Sequence, residues 1–455
     1  MIFVAVSSML NSLSIVAAIA VGAAAQQPAD TLQAPKTLTL EQAIQIALSE
    51  NVSVKVADME IQRTGYARKG TYAALFPSVD GSANFQRTIK KQVMYMDVPG
   101  FPGGGGGIEV GRWNTYSASA TAAMPIINAQ LWESLKISDE DVELAVEKAR
   151  SSRLETVTQV KQSYFSCLLA KAAAAVYESV YQNAEENLKL TQQKYNAQKA
   201  SELDLTRAKT TLANAVPNLY DSRSAIVLAL WQLKAVMGVS LDENIDVVGE
   251  LEDYTDQMLF NLNDEGNTDL SANSSLAQLE IQARELMDAV KLQKFATLPT
   301  LSLAFSYSLN AMTNDFKFSE YKWSPYSYVG LSLSVPIFAG GKRHNAIRQA
   351  QVQASELDIQ RANTERQLQI ALRQYLNTME TSVNSYGAAQ SAVESAQKAY
   401  DIAVKSYNVG RSTLTDLNDA QLALTQSKLA VSQAIFNFVV ARSNLEQTLG
   451  KDFTE

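Results

Sequence analysis

Hydrophobic and polar residues alternate in four stretches of the chain, at residues 79–86, 115–122, 301–310 and 329–335. Successive side chains of a β-strand point to opposite faces, so this pattern predicts four strands with one apolar and one polar face each. The apolar positions are Val79, Gly81, Ala83, Phe85, Tyr116, Ala118, Ala120, Ala122, Leu301, Leu303, Phe305, Tyr307, Leu309, Val329, Leu331, Leu333 and Val335.

The alternation alone fits a soluble, half-buried sheet, but three further features favour a membrane barrel. The polar face is small and mostly uncharged, each strand has about ten residues, and aromatic residues are concentrated at the strand ends. Because an open sheet edge is not tolerated in lipid and four strands cannot close a barrel, the chain is expected to oligomerise. Bacterial membrane barrels have an even number of strands, about 8 or more, so four strands per chain allow a dimer or a trimer. The aromatic residues are Trp113, Tyr116, Tyr321, Trp323, Tyr326 and Tyr328.

A long helical segment follows each pair of strands, and a shorter helical segment follows each long one. The long segments contain no proline and only one glycine, Gly387. Helices of this length approach about 100 Å at about 1.5 Å per residue. Pro217 predicts a kink in the first of the shorter return helices. The long helices are predicted at 130–197 and 342–407, the return helices at 201–237 and 413–449, and two more helices within 38–75.

The last return helix carries two apolar stripes. The first follows heptad spacing from Leu414 to Leu449, and the second is rotated from it by about 100°. A two-stranded coiled coil needs a single seam, so two stripes indicate two neighbouring helices. The wall of a helical cylinder and a four-helix bundle both supply them. Polar residues interrupt the first stripe at Gln421, Lys428 and Arg442, and the second stripe consists of Leu422, Leu429 and Phe436.

The segment from Tyr407 to Leu424 reads YNVGRSTLTDLNDAQLAL and predicts a tight helical hairpin. Gly410 suits the left-handed conformation that closes a helix, and Ser412 or Thr413 can cap the next one. The same features recur earlier in the chain, which indicates an internal duplication. Tyr195, Ser201, Asp204, Ala208 and Gly238 each lie 212 residues (407 − 195) before Tyr407, Thr413, Asp416, Ala420 and Gly450.

This second hairpin, with its Tyr-Asn-Val-Gly-x-x-Thr-x-x-Asp-Leu-x-x-Ala-Gln run, resembles the periplasmic tip of the TolC-type outer-membrane efflux proteins. The first hairpin departs from the pattern, because Gln198 stands where glycine is expected. The resemblance implies an α+β membrane protein, a homotrimer whose twelve strands form one barrel that continues as a long α-helical barrel. It also implies an outer-membrane location, contact with outer-membrane lipid, and docking to a periplasmic adaptor and an inner-membrane pump.

The resemblance also implies a periplasmic gate and a docking surface. In the family, two carboxylates matching Asp416 and Asp419 ring the closed tunnel mouth, and residues matching Tyr407 and Asp204 help to hold it shut. Thr413 and Asp416, like Ser201 and Asp204, have the alternative role of a helix cap. The family's basic partner would fall at Ser412, whereas the arginine here is Arg411. The expected adaptor-docking tips are Asn196, Ala197, Gln198, Lys199, Ala200, Val409, Gly410, Arg411 and Ser412.

Five segments are predicted along the chain. Residues 1–25 read as a signal peptide because an apolar run ends in small residues, although a basic start is missing. The first repeat spans 26–240 and the second 273–450, and each holds a helix, two strands and a long hairpin. The acidic segment 241–272 lies between them, and 451–455 form a tail.

The composition offers little for catalysis or nucleic-acid binding. The net charge is −8, which argues against nucleic acid as a partner. The single cysteine, Cys167, lies among apolar residues, and the single histidine, His344, lies at a strand-to-helix junction. Gly340 and Gly341 lack the spacing of a phosphate-binding loop. We therefore expect no enzyme, no cofactor and no metal.

Together with the sequence pattern, the resemblance implies an outer-membrane channel-tunnel that exports small toxic compounds as part of a tripartite pump. Protein export in a type I secretion system fits the same residues. A third hypothesis is a helical envelope spacer or adhesin without a pore. Small polar residues on one face of all four strands argue against this spacer, because a solid stalk has no lumen to line.

Overall fold

The computed structural model describes residues 35–95, 107–258 and 269–451. The predicted signal peptide, most of the glycine-rich loop, part of the acidic segment and all but the first residue of the tail lie outside these ranges.

One antiparallel sheet contains the four predicted strands, and two short strand pairs lie outside it. The strands are β1 (Lys36–Leu38), β2 (Ser78–Arg87), β3 (Gln92–Met94), β4 (Ile108–Val110), β5 (Asn114–Ile127), β6 (Ile245–Val247), β7 (Thr300–Thr313) and β8 (Ser324–Ser334). The order of the sheet is β2–β5–β7–β8, so that the strand pairs of the two repeats meet at β5 and β7. Outside this sheet, a short parallel pair joins β1 to β6, and β3 pairs with β4.

The strand register brings the predicted apolar positions together on one face. Val79 pairs with Ala122, Ala122 with Phe305, and Phe305 with Val329, which forms an apolar row across all four strands. On the opposite face, Ser82, Ser119 and Ser308 are aligned in the same way, and the hydroxyls of Ser82 and Ser119 lie 2.8 Å apart. The alternation in the sequence therefore corresponds to two chemically distinct faces of a single sheet.

The aromatic residues lie toward one end of this sheet, the end with the β3–β4 hairpin. Tyr116 stacks on Phe85 with ring centroids 4.8 Å apart and lies 5.2 Å from Tyr321. Tyr326 and Tyr328 belong to the first half of β8 and share the polar face of Ser306 and Ser308. The sequence predicted aromatic residues at the strand ends, and the structure restricts them to the loop end.

The predicted helices are all present, with boundaries within one or two residues of those read from the sequence. The first return helix continues through Pro217, and the second long helix continues through Gly387. Among the described helices, none is long and apolar enough to cross a membrane. The helices are α1 (Leu40–Glu50), α2 (Val52–Ala73), α3 (Ala129–Asn196), α4 (Glu202–Met237), α5 (Thr255–Met258), α6 (Ser274–Phe295), α7 (Lys342–Asn408) and α8 (Leu414–Leu449).

The helices form a wall with two tiers. In the tier next to the sheet, α2 packs on α3, α3 on α6, and α6 on α7. In the tier farther from the sheet, α4 packs on α3, α3 on α8, and α8 on α7. Thus α3 and α7 run through both tiers, and α8 lies between two neighbours, as its two apolar stripes predict.

Two asparagines join the tiers end to end. Asn51 caps α2, since its side-chain oxygen accepts from the amide of Ser53 at 2.7 Å, and its Nδ2 donates to the carbonyl oxygen of Val236 in the last turn of α4 at 2.7 Å. Asn273 does the same for α6, and its Nδ2 donates to the carbonyl oxygen of Thr448 at 2.7 Å. Each side chain therefore satisfies both helix ends that meet at it.

The main hydrophobic core lies where the two tiers meet, beside the β1–β6 pair. Tyr164 is 1% exposed, and its hydroxyl lies 2.5 Å from the carbonyl oxygen of Val248. Leu168, Leu233 and Ile435 pack in the same core. The described part of the acidic segment is thereby attached to α3.

Candidate functional site: the two helical tips

The turns that join α3 to α4 and α7 to α8 have the same backbone geometry. Gln198 has φ +60° and Gly410 has φ +78°, both in the left-handed region. The amide of Gln198 donates to the oxygen of Tyr195 at 2.9 Å, and the amide of Gly410 donates to the oxygen of Tyr407 at 3.1 Å. The first tip thus forms the same turn as the second although a glycine is missing.

Each tip is followed by a capping box. The hydroxyl of Thr413 donates to Asp416 Oδ2 at 2.7 Å, and the amide of Thr413 donates to the same oxygen at 2.8 Å. The amide of Asp416 donates back to the Thr413 hydroxyl at 3.1 Å. Ser201 and Asp204 repeat this arrangement, with a hydroxyl-to-carboxylate distance of 2.7 Å. Both carboxylates therefore act as helix caps within the chain.

The cap also stabilises the charged form of the Asp416 carboxylate. Hydrogen bonds from the Thr413 amide, and next from the Thr413 hydroxyl, lower the pKa of the Asp416 carboxyl. Its side chain is exposed, so the charged form remains available to solvent at the tip.

Asp419 lies one helical turn beyond Asp416 and is also exposed. Residues three apart lie on the same side of a helix, so the two carboxylates project from one side of α8. Within the described part of the chain, the Asp419 carboxylate makes neither a hydrogen bond nor an ion pair. Asp419 thus differs from Asp416, whose carboxylate is engaged in the cap.

Tyr407 connects the two hairpins. Its ring is 6% exposed, and its hydroxyl lies 2.7 Å from Thr191 Oγ1 on α3. Lys194 Nζ, also from α3, lies 4.0 Å from the centroid of the Tyr407 ring and donates to the Tyr407 carbonyl oxygen. Burial lowers the pKa of Lys194. The ring packs with Ala208, Leu414 and Leu417 in a small core behind the tips.

The structure divides the four predicted gate residues into separate groups. Tyr407 bonds to Thr191 and Lys194, whereas Asp204 and Asp416 bond to their own caps. Thr191 and Lys194 were not predicted. For Lys194, a comparison of the two repeats carries a signal. The equivalent residue of the second repeat, 212 positions later, is Ser406, so only the first repeat has a lysine at this position.

The predicted docking residues form the solvent-exposed ends of both hairpins. Seven of the nine are exposed, including Val409 with 70% of its surface accessible, and Ala200 and Ser412 are partly exposed. Lys199 and Arg411 place one cation on each tip. The Ser412 hydroxyl donates to the Ala403 oxygen at 3.4 Å, which holds the second tip against the end of α7.

The described cysteine and histidine, which could act as nucleophiles or metal ligands elsewhere, lie apart from each other. Cys167 is fully buried, and burial raises the pKa of its thiol to about 12. His344 is exposed at the start of α7. No group of metal-ligating side chains occurs within the described residues.

Residues 43–239 and 267–451 match the outer membrane efflux protein family. These ranges hold both repeats, each with its helix, strand pair and hairpin. The chain belongs to this family. It is therefore an outer-membrane transport protein that extends into the periplasm and is a channel component rather than an enzyme, as the sequence predicts.

Individual relatives agree with the family. The chain is 23% identical to outer membrane protein TolC of Escherichia coli over 345 residues, which covers 74% of this chain and 70% of TolC. It is 23% identical to the alkaline protease secretion protein AprF of Pseudomonas aeruginosa, with 73% and 69% covered. The fold resembles the crystal structure of the Campylobacter jejuni CmeC outer membrane channel, with a TM-score of 0.71, 18% identity, and 90% and 85% of the chains covered.

Proposed function

We propose that three copies of this outer membrane efflux protein close into one channel, with twelve strands in the membrane and a helical tunnel below. The observation that carries this proposal is the match between two open edges of the protomer. One edge consists of β2, α2 and α4, and the other consists of β8 and α7. Because β2 leads out of α2 and β8 leads into α7, the sheet and the helical wall end on the same sides.

The exposed side chains support closure along both edges. Large apolar residues line the helical edges without cover in a single protomer. Leaving such stripes in water is unfavourable, and a second copy can cover each of them. They are Val52, Val56, Met59, Val227, Leu228 and Trp231 on the first edge, and Val352, Ile359 and Ile370 on the second.

The two sheet faces support the orientation of the barrel. The exposed apolar row of Val79, Phe305 and Val329 suits contact with lipid, and the serine-rich face suits a wet lumen. A spacer without a pore would have no use for a second face of small polar residues. This contrast favours the channel over the structural hypothesis.

At the tips, we assign the closed gate to Asp416 and Asp419, with Tyr407 and Asp204 in support. Three copies would bring six carboxylates toward one axis, and acidic rings favour cations in channels. The capping role of Asp416 is compatible with this function, because the capped carboxylate is charged and exposed. The bond from Tyr407 to Thr191 would hold the two hairpins of each protomer together in the closed state.

Reversal-potential measurements on the double variant Asp416→Ala/Asp419→Ala test the gate. We expect weaker cation selectivity and the loss of block by multivalent cations added from the periplasmic side. The single variant Thr413→Ala is the control that separates the cap from the ring, since it removes the capping hydroxyl and retains both carboxylates. Unchanged selectivity in the double variant would rule out the gate and leave Asp416 as a helix cap alone.

The proposed cargo is small toxic compounds, received from an inner-membrane pump through a periplasmic adaptor that docks on the exposed tips. Protein export in a type I secretion system is the second candidate, and the similarity to a protein named for alkaline protease secretion favours it. A strain that lacks the gene separates the two. Efflux predicts greater sensitivity to toxic compounds with unchanged extracellular protein, and secretion predicts the reverse.

A further inference from the structure

The segment between β8 and α7 holds two apolar side chains in solvent. Ile337 is 92% exposed and Phe338 is 88% exposed. The backbone around them is fixed, because the Lys342 amide donates to the Ala339 oxygen at 3.0 Å and the Arg343 guanidinium donates to the Pro336 oxygen at 3.2 Å. The protomer itself does not cover these two side chains. We call Ile337 and Phe338 together the apolar knob.

A cleft of matching character lies at the junction between α2 and β2. It has a volume of about 410 Å³ and is lined by Gly65, Tyr72, Ala73 and Phe76 of α2 and by Val142 of α3, beside the side chains of Arg68 and Lys69. Asp139 bonds to Arg68 and Tyr72, which holds one wall in position. A Cβ atom added to Gly65 would meet no atom within 4 Å, so the cleft has space for a side chain from outside.

Strand direction brings the knob and the cleft of neighbouring copies to the same level. β2 begins at Ser78, two residues after the cleft residue Phe76, and β8 ends at Ser334, three residues before Ile337. These two strands are the open edges of the sheet. Along the sheet β2 is antiparallel to β5, β5 to β7 and β7 to β8, so β8 runs opposite to β2. If β8 of one copy pairs with β2 of the next, the end of β8 meets the start of β2.

We propose that Ile337 and Phe338 of one protomer insert into the α2 cleft of the adjacent protomer and lock the junction between barrel and tunnel. The inference rests on the proposed trimer and adds to it a defined contact with its own residues. Phe338 contributes an aromatic ring, and the cleft offers Tyr72, Phe76 and the cation of Lys69 as partners for that ring.

Cross-linking of the full-length protein in outer-membrane preparations tests this contact. We expect the pair Phe338→Cys with Ala73→Cys to give covalent dimers and trimers with a short thiol-specific cross-linker. The native Cys167 is buried and does not compete. The control pair is Val329→Cys with Ala73→Cys. Val329 lies on β8, nine residues before Phe338, so this pair should give no cross-link.

Two single variants test the energy of the contact. Phe338→Ala empties the cleft, and Gly65→Phe fills it from its own side, starting from a Cβ position that has no atom within 4 Å. Both are expected to weaken trimer association by about tenfold to a hundredfold. Ile89→Ala is the matched control, because Ile89 is 95% exposed at the opposite end of the sheet and should have no effect.

The outcomes are distinct. A stable trimer with no cross-link between positions 338 and 73, and with unchanged dissociation in Phe338→Ala, would overturn the lock and leave the knob facing lipid. A wild-type protein that is monomeric by native mass spectrometry would overturn the proposed trimer itself, and the lock with it. Cross-linking in the test pair alone, together with weaker association in both single variants, supports the lock.

Discussion

Replacing Tyr407 with phenylalanine should open the periplasmic end. The Tyr407 hydroxyl is its only polar side-chain atom, and it lies 2.7 Å from Thr191 Oγ1 in a buried setting. Phenylalanine keeps the ring, so its packing on Leu414 and Leu417 and the contact with the Lys194 cation persist. The variant therefore removes one hydrogen bond between the hairpins and little else.

The size of the effect follows from the partners that remain. Thr191 still donates to the Asn187 oxygen at 2.8 Å, so the loss leaves no buried donor without a partner. A hydrogen bond of this kind contributes about 1 kcal/mol. If the closed state has the bond and the open state lacks it, the equilibrium shifts toward opening by about fivefold for each protomer. Three protomers that open together would give about 3 kcal/mol, or a shift of about 150-fold.

Single-channel recording in planar bilayers measures this shift as open probability. Tyr195→Phe is the matched control, because Tyr195 is the equivalent residue of the first tip and is 38% exposed. Thr191→Val should open the channel at least as much as Tyr407→Phe, because it removes the same bond and leaves the buried Tyr407 hydroxyl without this partner. The double variant should not exceed Thr191→Val, since all three remove the same bond. An open probability in Tyr407→Phe equal to that of wild type and of Tyr195→Phe would refute the role of this bond in closure.

Three further predictions concern the sheet and the tips. Leu303→Arg should impair assembly far more than Ser302→Arg, because arginine on a lipid-facing position costs about 2–4 kcal/mol at the bilayer midplane. The yield of folded trimer measures this difference. Equal yields would mean that the lipid-facing and lumen-facing sides are reversed or that the sheet is not a membrane barrel. Gly410→Ala should lower the free energy of unfolding by about 1 kcal/mol because its φ is +78°, whereas Gln198→Gly should be neutral or stabilising; equal losses in denaturant unfolding would contradict the shared turn. The pKa of Asp416 is lowered in the folded chain, so its cap should be intact above about pH 4 and lost as the pH falls through the lowered value. Amide hydrogen exchange at the start of α8 should show this pH-dependent loss in wild type and not in Asp416→Asn.

Local sequence signals were sufficient to predict most of this fold. Absence of proline and glycine gave the long helices, period-two alternation gave the four strands, and the offset of 212 residues related the two tips. The helices and strands depend on neighbours along the chain, and the relation of the tips on a direct comparison of two segments, and the sequence displays both. Even the capping role of Asp416 was among the alternatives that its spacing from Thr413 suggested.

Features that depend on distant partners could not be predicted in the same way. Asn51 and Asn273 join helix ends more than 170 residues away, and nothing in their local sequence distinguishes them from ordinary caps. Thr191 and Lys194 acquire their role only when α3 lies beside Tyr407. Gln198 adopts a left-handed conformation that its residue type disfavours, because the hydrogen bonds of the turn and the packing of both helices determine it.

Conductance of the purified protein in a planar bilayer tests the central claim, a gated trimeric channel, most directly. We expect discrete, cation-selective conductance steps from trimers, with long closures that reflect the shut periplasmic end. A folded trimer that inserts into the bilayer and never conducts, even with Asp416 and Asp419 replaced by alanine, would contradict the channel and favour a solid helical spacer.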